Sequence, residues 1–213
     1  MIKKEDIERA ILLFREWDLK KTWDQPTTVF INHLLQKSEN ALKTAQYILK
    51  IMEDTKIKEL FDAQEYDGTL WVINPSYYRI FFLAQYLLAI DGKKLPQNTK
   101  DTHKTIELAF LYYFIVKGSG VEGKKNISWD DITQSKLSRA LELLSEANEE
   151  VHELTQQRAK SMVEYLDSER IKRQEFTYAL TINAELAKAK TSLQRAIEFG
   201  DIVKEYMKAV KMR

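Results

Sequence analysis

The chain contains no cysteine. Disulfides, thiolate metal sites and cysteine nucleophiles are thereby excluded, and the absence suits a reducing compartment. Chain breakers are scarce as well: six glycines and three prolines in 213 residues. Four of those glycines, Gly92, Gly118, Gly120 and Gly123, fall in two short segments. The pattern is one of long helices punctuated by few loops. No sign of charge is in surplus, with 33 Lys and Arg against 32 Asp and Glu. A dedicated nucleic-acid coat protein carries a clear basic excess, so that class is disfavoured, although a local basic patch is not. The longest uncharged apolar run, Ile80 to Ile90, falls short of the roughly 20 residues that cross a bilayer. Met1-Ile2-Lys3-Lys4-Glu5-Asp6 lacks the apolar stretch of a secretory signal. The expectation is a cytoplasmic protein with no membrane role. A phosphate-binding glycine loop, a nucleophile elbow and a zinc signature are also missing, which removes the classes that depend on them. No cofactor is expected.

What is present is apolar periodicity through almost the whole chain. Hydrophobic residues make up 44% and charged residues 31%, enough to bury a core. Lys4 to Asp18 predicts a short amphipathic helix carrying Ile7, Ile11, Leu12 and Phe14. Asp24-Gln25-Pro26-Thr27 is a break and a helix start, and a second helix runs from Thr28 to about Asp54. Thr55 to Ile73 is ambiguous. Ile57, Leu60 and Phe61 suit one or two helical turns, while Thr69-Leu70-Trp71-Val72-Ile73 has a β-leaning composition and reads as an extended connector. Asn74-Pro75-Ser76 reads as the entrance to a helix ending near Ile90. Asp101 or Thr102 opens another, to Lys117. Both are apolar on nearly all faces and should form the central pair.

Gly118 to Ser128 is a glycine- and lysine-bearing loop. Ser128-Trp129-Asp130-Asp131 has the character of a helix start with acids in its first turn, and a long helical pattern follows to about Leu166. Asp167-Ser168 suggests a brief break. In the last helix, Tyr178 to Val210, Leu186, Leu193, Gly200 and Met207 recur every seven residues, with Ala189, Ala196, Val203 and Val210 interleaved. That small-residue seam permits close packing on a neighbour. The expected fold is all-α: an antiparallel helical bundle of about five core helices with an extra N-terminal helix. Residues 1–25 form the extension and 26–213 the bundle domain.

The arrangement of four stretches resembles the HEPN superfamily of small helical bundles. Leu34-Leu35-Gln36-Lys37-Ser38-Glu39-Asn40-Ala41-Leu42 is similar to the family's first helix. Ser76-Tyr77-Tyr78-Arg79-Ile80-Phe81-Phe82-Leu83-Ala84 is similar to its second, with a Tyr-Tyr pair before an apolar run. Thr102-His103-Lys104 resembles the Thr-His opening of the third helix in one branch. Arg170, Arg173 and Tyr178 resemble the passage before the last helix. The resemblance spans about Thr28 to Met207. It implies a homodimer, a setting in a toxin–antitoxin or nucleotidyltransferase-linked system, and RNA or a nucleotide as ligand. Catalytic members cleave RNA with an arginine followed four to six residues later by histidine. None of His33, His103 and His152 has such an arginine, so the resemblance points to a non-catalytic binding or regulatory module. The competing reading is a divergent, metal-independent RNase using Arg79 and His103, brought together by folding. A third is a structural helical interaction protein.

Individual residues sharpen these alternatives. Arg79 stands inside an apolar helix, where its charge needs a buried carboxylate partner or an anion in a groove. His103 lies in the first turn of a core helix, a position that suits capping or contact with phosphate. Tyr78 is a candidate for stacking on a base, and Arg170 and Arg173 for contact with RNA or an acidic partner. Glu142, Glu146, Glu149, Glu150 and Glu153 cluster with His152. A carboxylate-bridged dimetal site needs the Glu-x-x-His spacing from two helices, and Glu149 with His152 supplies it once.

Overall fold

A computed structural model of the chain describes residues 3–60, 62, 68–117, 137–169 and 182–211. It is an all-α bundle. The helices are α1 (Lys4–Lys20), α2 (Thr28–Glu53), α3 (Thr55–Leu60), α4 (Thr69–Ile90), α5 (Thr102–Phe110), α6 (Ser138–Glu169) and α7 (Ile182–Lys211), and α5 continues into a π-helical segment, Leu111–Val116. Among the described residues no helix is long and apolar enough to cross a membrane.

Local chemistry sets the ends of these helices. Asp6 accepts the Lys3 amide at the start of α1, and Lys21 closes that helix in a left-handed conformation with φ 51°. Thr27 caps α2 by accepting the Phe30 amide at 3.1 Å, as the Pro26-Thr27 break predicts. Asp54 turns the chain from α2 into α3 by accepting the amides of Lys56 and Ile57. A two-bond backbone bridge between Asp24 and Lys94 ties the α1–α2 connection to the α4–α5 loop.

The core has two parts. The larger gathers α1, α4, α5, α6 and the second half of α7. The expected extension at 1–25 contributes Ile7, Ala10 and Phe14 to this same cluster, and full burial of Phe14 alone is worth about 1.5–3 kcal/mol. From Thr105 to Val116 every residue is buried, so α5 and its π-helical continuation run through the centre beside α4. The smaller part joins Ala45 and Met52 of α2, Val72 and Ile73 of α4, and Ala189 and Leu193 of α7. Farther along, Arg79 meets Glu39 of α2 and Ala196 of α7. The order of those contacts shows α2 running antiparallel to α4 and α7 running parallel to it.

Two local expectations are corrected. Thr69–Ile73 is not an extended connector, because α4 begins at Thr69 and carries Pro75 inside it. Val72 and Ile73 are wholly buried against α2 and α7, and that tertiary burial overrides a β-leaning composition. Pro75 in the second turn deprives one carbonyl of its donor, a penalty of about 3 kcal/mol relative to alanine. The break expected at Asp167-Ser168 is absent, since α6 continues to Glu169. Gly118 to Ser128 and Tyr178 lie outside the described residues. The seam of α7 is buried at Ala189, Leu193, Ala196, Gly200 and Val203, and it ends before the exposed Val210.

Candidate functional site

Arg79 is only 2% exposed. Its Nη1 lies 3.2 Å from Glu39 Oε1, and its Nε donates to the Ala196 carbonyl at 2.9 Å. The guanidinium also packs directly on Gly200, where a Cβ would collide with it. Arg79 therefore braces α2, α4 and α7 together. Glu39 stays 45% exposed, so water reaches one side of the pair and lowers the desolvation penalty that a fully enclosed ion pair would carry.

On another side of α4 a cleft of about 570 Å³ opens between α4, α5 and α6. Tyr77 and Tyr78 form one wall, His103 and Lys104 another, and Asn148 and His152 a third. Its volume falls in the range of small-ligand sites, roughly 300–1,000 Å³. The Tyr77 hydroxyl is hydrogen-bonded to His103 Nδ1. The imidazole stacks on Phe81 with ring centres 4.5 Å apart. Burial raises the Tyr77 pKa, with Tyr78 and Glu107 adding to the shift. Burial also lowers that of His103, against an opposing pull from Asp101. Both shifts favour neutral groups. A neutral pair shares one proton in this bond: when the phenol donates to Nδ1, the imidazole carries its own proton on Nε2.

Below the histidine the polar groups are interlocked. Lys104 sits 3.3 Å from Asp6 and 3.2 Å from Glu107. Burial alone would lower its pKa, but Glu107 and Asp6 outweigh burial and raise it. Glu107 is buried and accepts from Asn148 Nδ2 at 2.8 Å, while Asn148 Oδ1 is buried with no hydrogen-bond partner among the described residues. His152 is bonded to Gln156 at 2.8 Å. Tyr78 is 43% exposed at the rim, backed by Phe82 at 5.7 Å. A planar ring can lie on Tyr78. An anionic group suits the start of α5, whose first-turn amides have no partners within the helix.

The acidic run of α6 has a different job. Arg139 pairs with Glu142 and Glu198, and Arg195 with Glu146 and Glu150, which clasps α6 to α7. Burial raises the Glu150 pKa against the opposing pull of Arg195. Among the described residues no group of three or more His, Asp or Glu is placed to hold a metal ion.

Of the residues singled out in the sequence, Tyr78 and His103 share the cleft. Arg79 does not: it faces Glu39 and α7, while His103 is bonded to Tyr77. Folding does not bring Arg79 and His103 together as the RNase reading requires. Arg170 and Arg173 lie outside the described residues. Glu107 and Asn148 went unnoticed in the sequence. The signal for Glu107 was available, because it is a lone carboxylate in a helix apolar on nearly every side, the same anomaly that marks Arg79. No family model matches the chain, and no curated protein or solved structure matches it either.

Proposed function

We propose that this is a HEPN-like binding or regulatory module that takes a nucleotide-type ligand in the α4–α5–α6 cleft. The observation that carries the reading is the cleft itself, where an exposed Tyr78 stands beside a Tyr77–His103 hydrogen bond at the start of α5. The base stacks on Tyr78. The phosphate meets the first-turn amides of α5 and the Nε2–H of His103, which the Tyr77 bond orients. Glu107, Glu149 and Asp101 make the cleft unfavourable for a long polyanion, so a mononucleotide or an RNA end fits better than an extended strand. The resemblance supplies the rest of the proposal: a cytoplasmic homodimer in a toxin–antitoxin or nucleotidyltransferase-linked system, with a nucleotidyltransferase-type protein as partner.

RNA cleavage by Arg79 and His103 is the competing reading. It needs Arg79 to leave Glu39, the Ala196 carbonyl and Gly200, which makes binding the better-supported role. Titrating the full chain with the four ribonucleoside 5′-monophosphates and with short single-stranded RNA tests the proposal. Tyr78→Ala and His103→Ala should each weaken binding at least about tenfold, a stacking-sized loss, with the helical circular dichroism unchanged. Absence of binding to any of these probes would remove the ligand assignment. RNA cleavage that His103→Ala abolishes would replace it with the enzymatic reading.

A further inference from the structure

Asn148 of α6 lies on the wall of the cleft, and its two amide atoms differ in what they meet. Nδ2 donates to Glu107 Oε2 at 2.8 Å. Oδ1 is the one buried side-chain nitrogen or oxygen among the described residues that has no hydrogen-bond partner there. Buried polar atoms are nearly always bonded, so an exception calls for a specific reason.

The direction of the amide is set by its neighbour. Glu107, ion-paired with Lys104, only accepts, so the amide turns its NH2 group toward it and its oxygen away. Glu107 is itself held in place. Its Oε1 lies 3.2 Å from Lys104 Nζ, which lies 3.3 Å from Asp6 Oδ1. A chain of contacts from α1 through α5 to α6 thus presets one acceptor on the cleft wall. Other acceptors surround it, because Asp101, Glu107 and Glu149 line the same cleft. Its one lysine, Lys104, is already engaged by Asp6 and Glu107. A ligand group that enters on this side has to bring hydrogen-bond donors.

We propose that Asn148 Oδ1 reads the exocyclic amine of the bound nucleotide's base, so that the cleft prefers amino-bearing bases and discriminates against uracil. This rests on the nucleotide reading above. The base lies on Tyr78 with its amino-bearing edge toward α6, and the phosphate stays at the start of α5. Tyr78 and Asn148 line the one cleft from α4 and α6. Asn148 as a whole is half-buried, so a small side-chain rotation brings Oδ1 to an entering N–H. Uracil carries an oxygen where cytosine carries the amine, and its single N–H is flanked by two carbonyls that would face acceptors. A site built around a ligand's donor rejects the analogue that lacks it, because the site's own buried acceptor is then left unpaired.

Isothermal titration calorimetry of the full chain with two ligand pairs tests this. AMP is compared with purine riboside 5′-monophosphate, which lacks only the amine, and CMP with UMP. In each pair the amino-bearing member should bind at least about tenfold tighter, the scale of one buried hydrogen bond lost. Asn148→Leu keeps the volume and removes the acceptor, and circular dichroism checks its fold. Its preference within each pair should fall to about twofold or less, since no buried acceptor is then left unpaired. Wild type alone reports the preference, so the inference can fail without any variant. Equal binding within either pair, or tighter binding of UMP than of CMP, overturns the inference and leaves the nucleotide reading standing. A preference that survives in Asn148→Leu overturns the assignment to Asn148. Failure of all four ligands to bind overturns the nucleotide reading, and this inference with it.

Discussion

The guanidinium of Arg79 rests on the bare backbone of Gly200. A charged side chain of the central helix α4 reaches α7 at the one seam position without a side chain and bonds the Ala196 carbonyl one turn earlier. Glycine inside a helix ordinarily costs about 1 kcal/mol relative to alanine. Here the sign should reverse, because the added Cβ collides with the guanidinium of a buried, ion-paired arginine. Gly200→Ala is expected to destabilise by about 1–3 kcal/mol, the range for overpacking. A lowered urea midpoint would show it, and a midpoint at or above wild type would mean that Arg79 moves aside freely.

The Arg79–Glu39 pair is lopsided in burial, and its two halves should differ in energy. Arg79→Ala removes a large buried side chain and its bond to Ala196. It leaves Glu39 able to hydrate, so the loss is chiefly one of packing, about 2–4 kcal/mol. Glu39→Gln keeps an oxygen acceptor facing the guanidinium and should cost about 1–2 kcal/mol. Arg79→Met, which restores volume without charge, should fall below the alanine variant. Equilibrium unfolding of the three gives the order directly. A larger loss for Glu39→Gln than for Arg79→Ala would place the energy in the charge rather than in packing.

Stability should also respond to the protonation of His103. Its folded-state pKa is lowered from 6.5, chiefly by burial. As pH falls through 6.5 the unfolded chain takes up a proton before the folded one, so stability decreases with falling pH until the lowered folded pKa is passed. Above that window both states are neutral and the contribution is flat. His103→Gln, which cannot titrate, should reduce the slope of the unfolding midpoint with pH below 6.5 relative to wild type. An unchanged slope would assign the acid sensitivity to other groups.

Much of the architecture is legible residue by residue. The helical spacing of Ile7, Ile11 and Phe14 gives a helix packed on one face, although Leu12, read with them, is exposed, and Thr27 after Pro26 marks where α2 begins. The apolar composition of 76–90 and 105–116, interrupted chiefly by Arg79, Gln85 and Glu107, puts those helices at the centre. These features are local: periodicity, capping and the lack of breakers act within a few residues and need no knowledge of the neighbour. The anomaly of a charge at position 79 is legible on the same terms.

What that charge touches is a different matter. Glu39, Ala196 and Gly200 are separated from Arg79 by 40, 117 and 121 positions, and only packing decides which side of α4 meets α2 and α7. Two residues apart on a helix face different ways, so Tyr77 goes to His103 while Arg79 goes to Glu39, and the pair expected from residue types alone is divided between two faces. The start of α4 follows the same logic. Thr69–Ile73 has no strong preference of its own, and burial of Val72 and Ile73 against two other helices made it helical. The sequence by itself determined an all-α bundle, its central helices and the anomalous charge at position 79, because short-range chemistry is enough for those. The tertiary structure alone decided that Arg79 is a brace and that His103 belongs to a cleft with Tyr77 and Tyr78, because both depend on which helix faces meet.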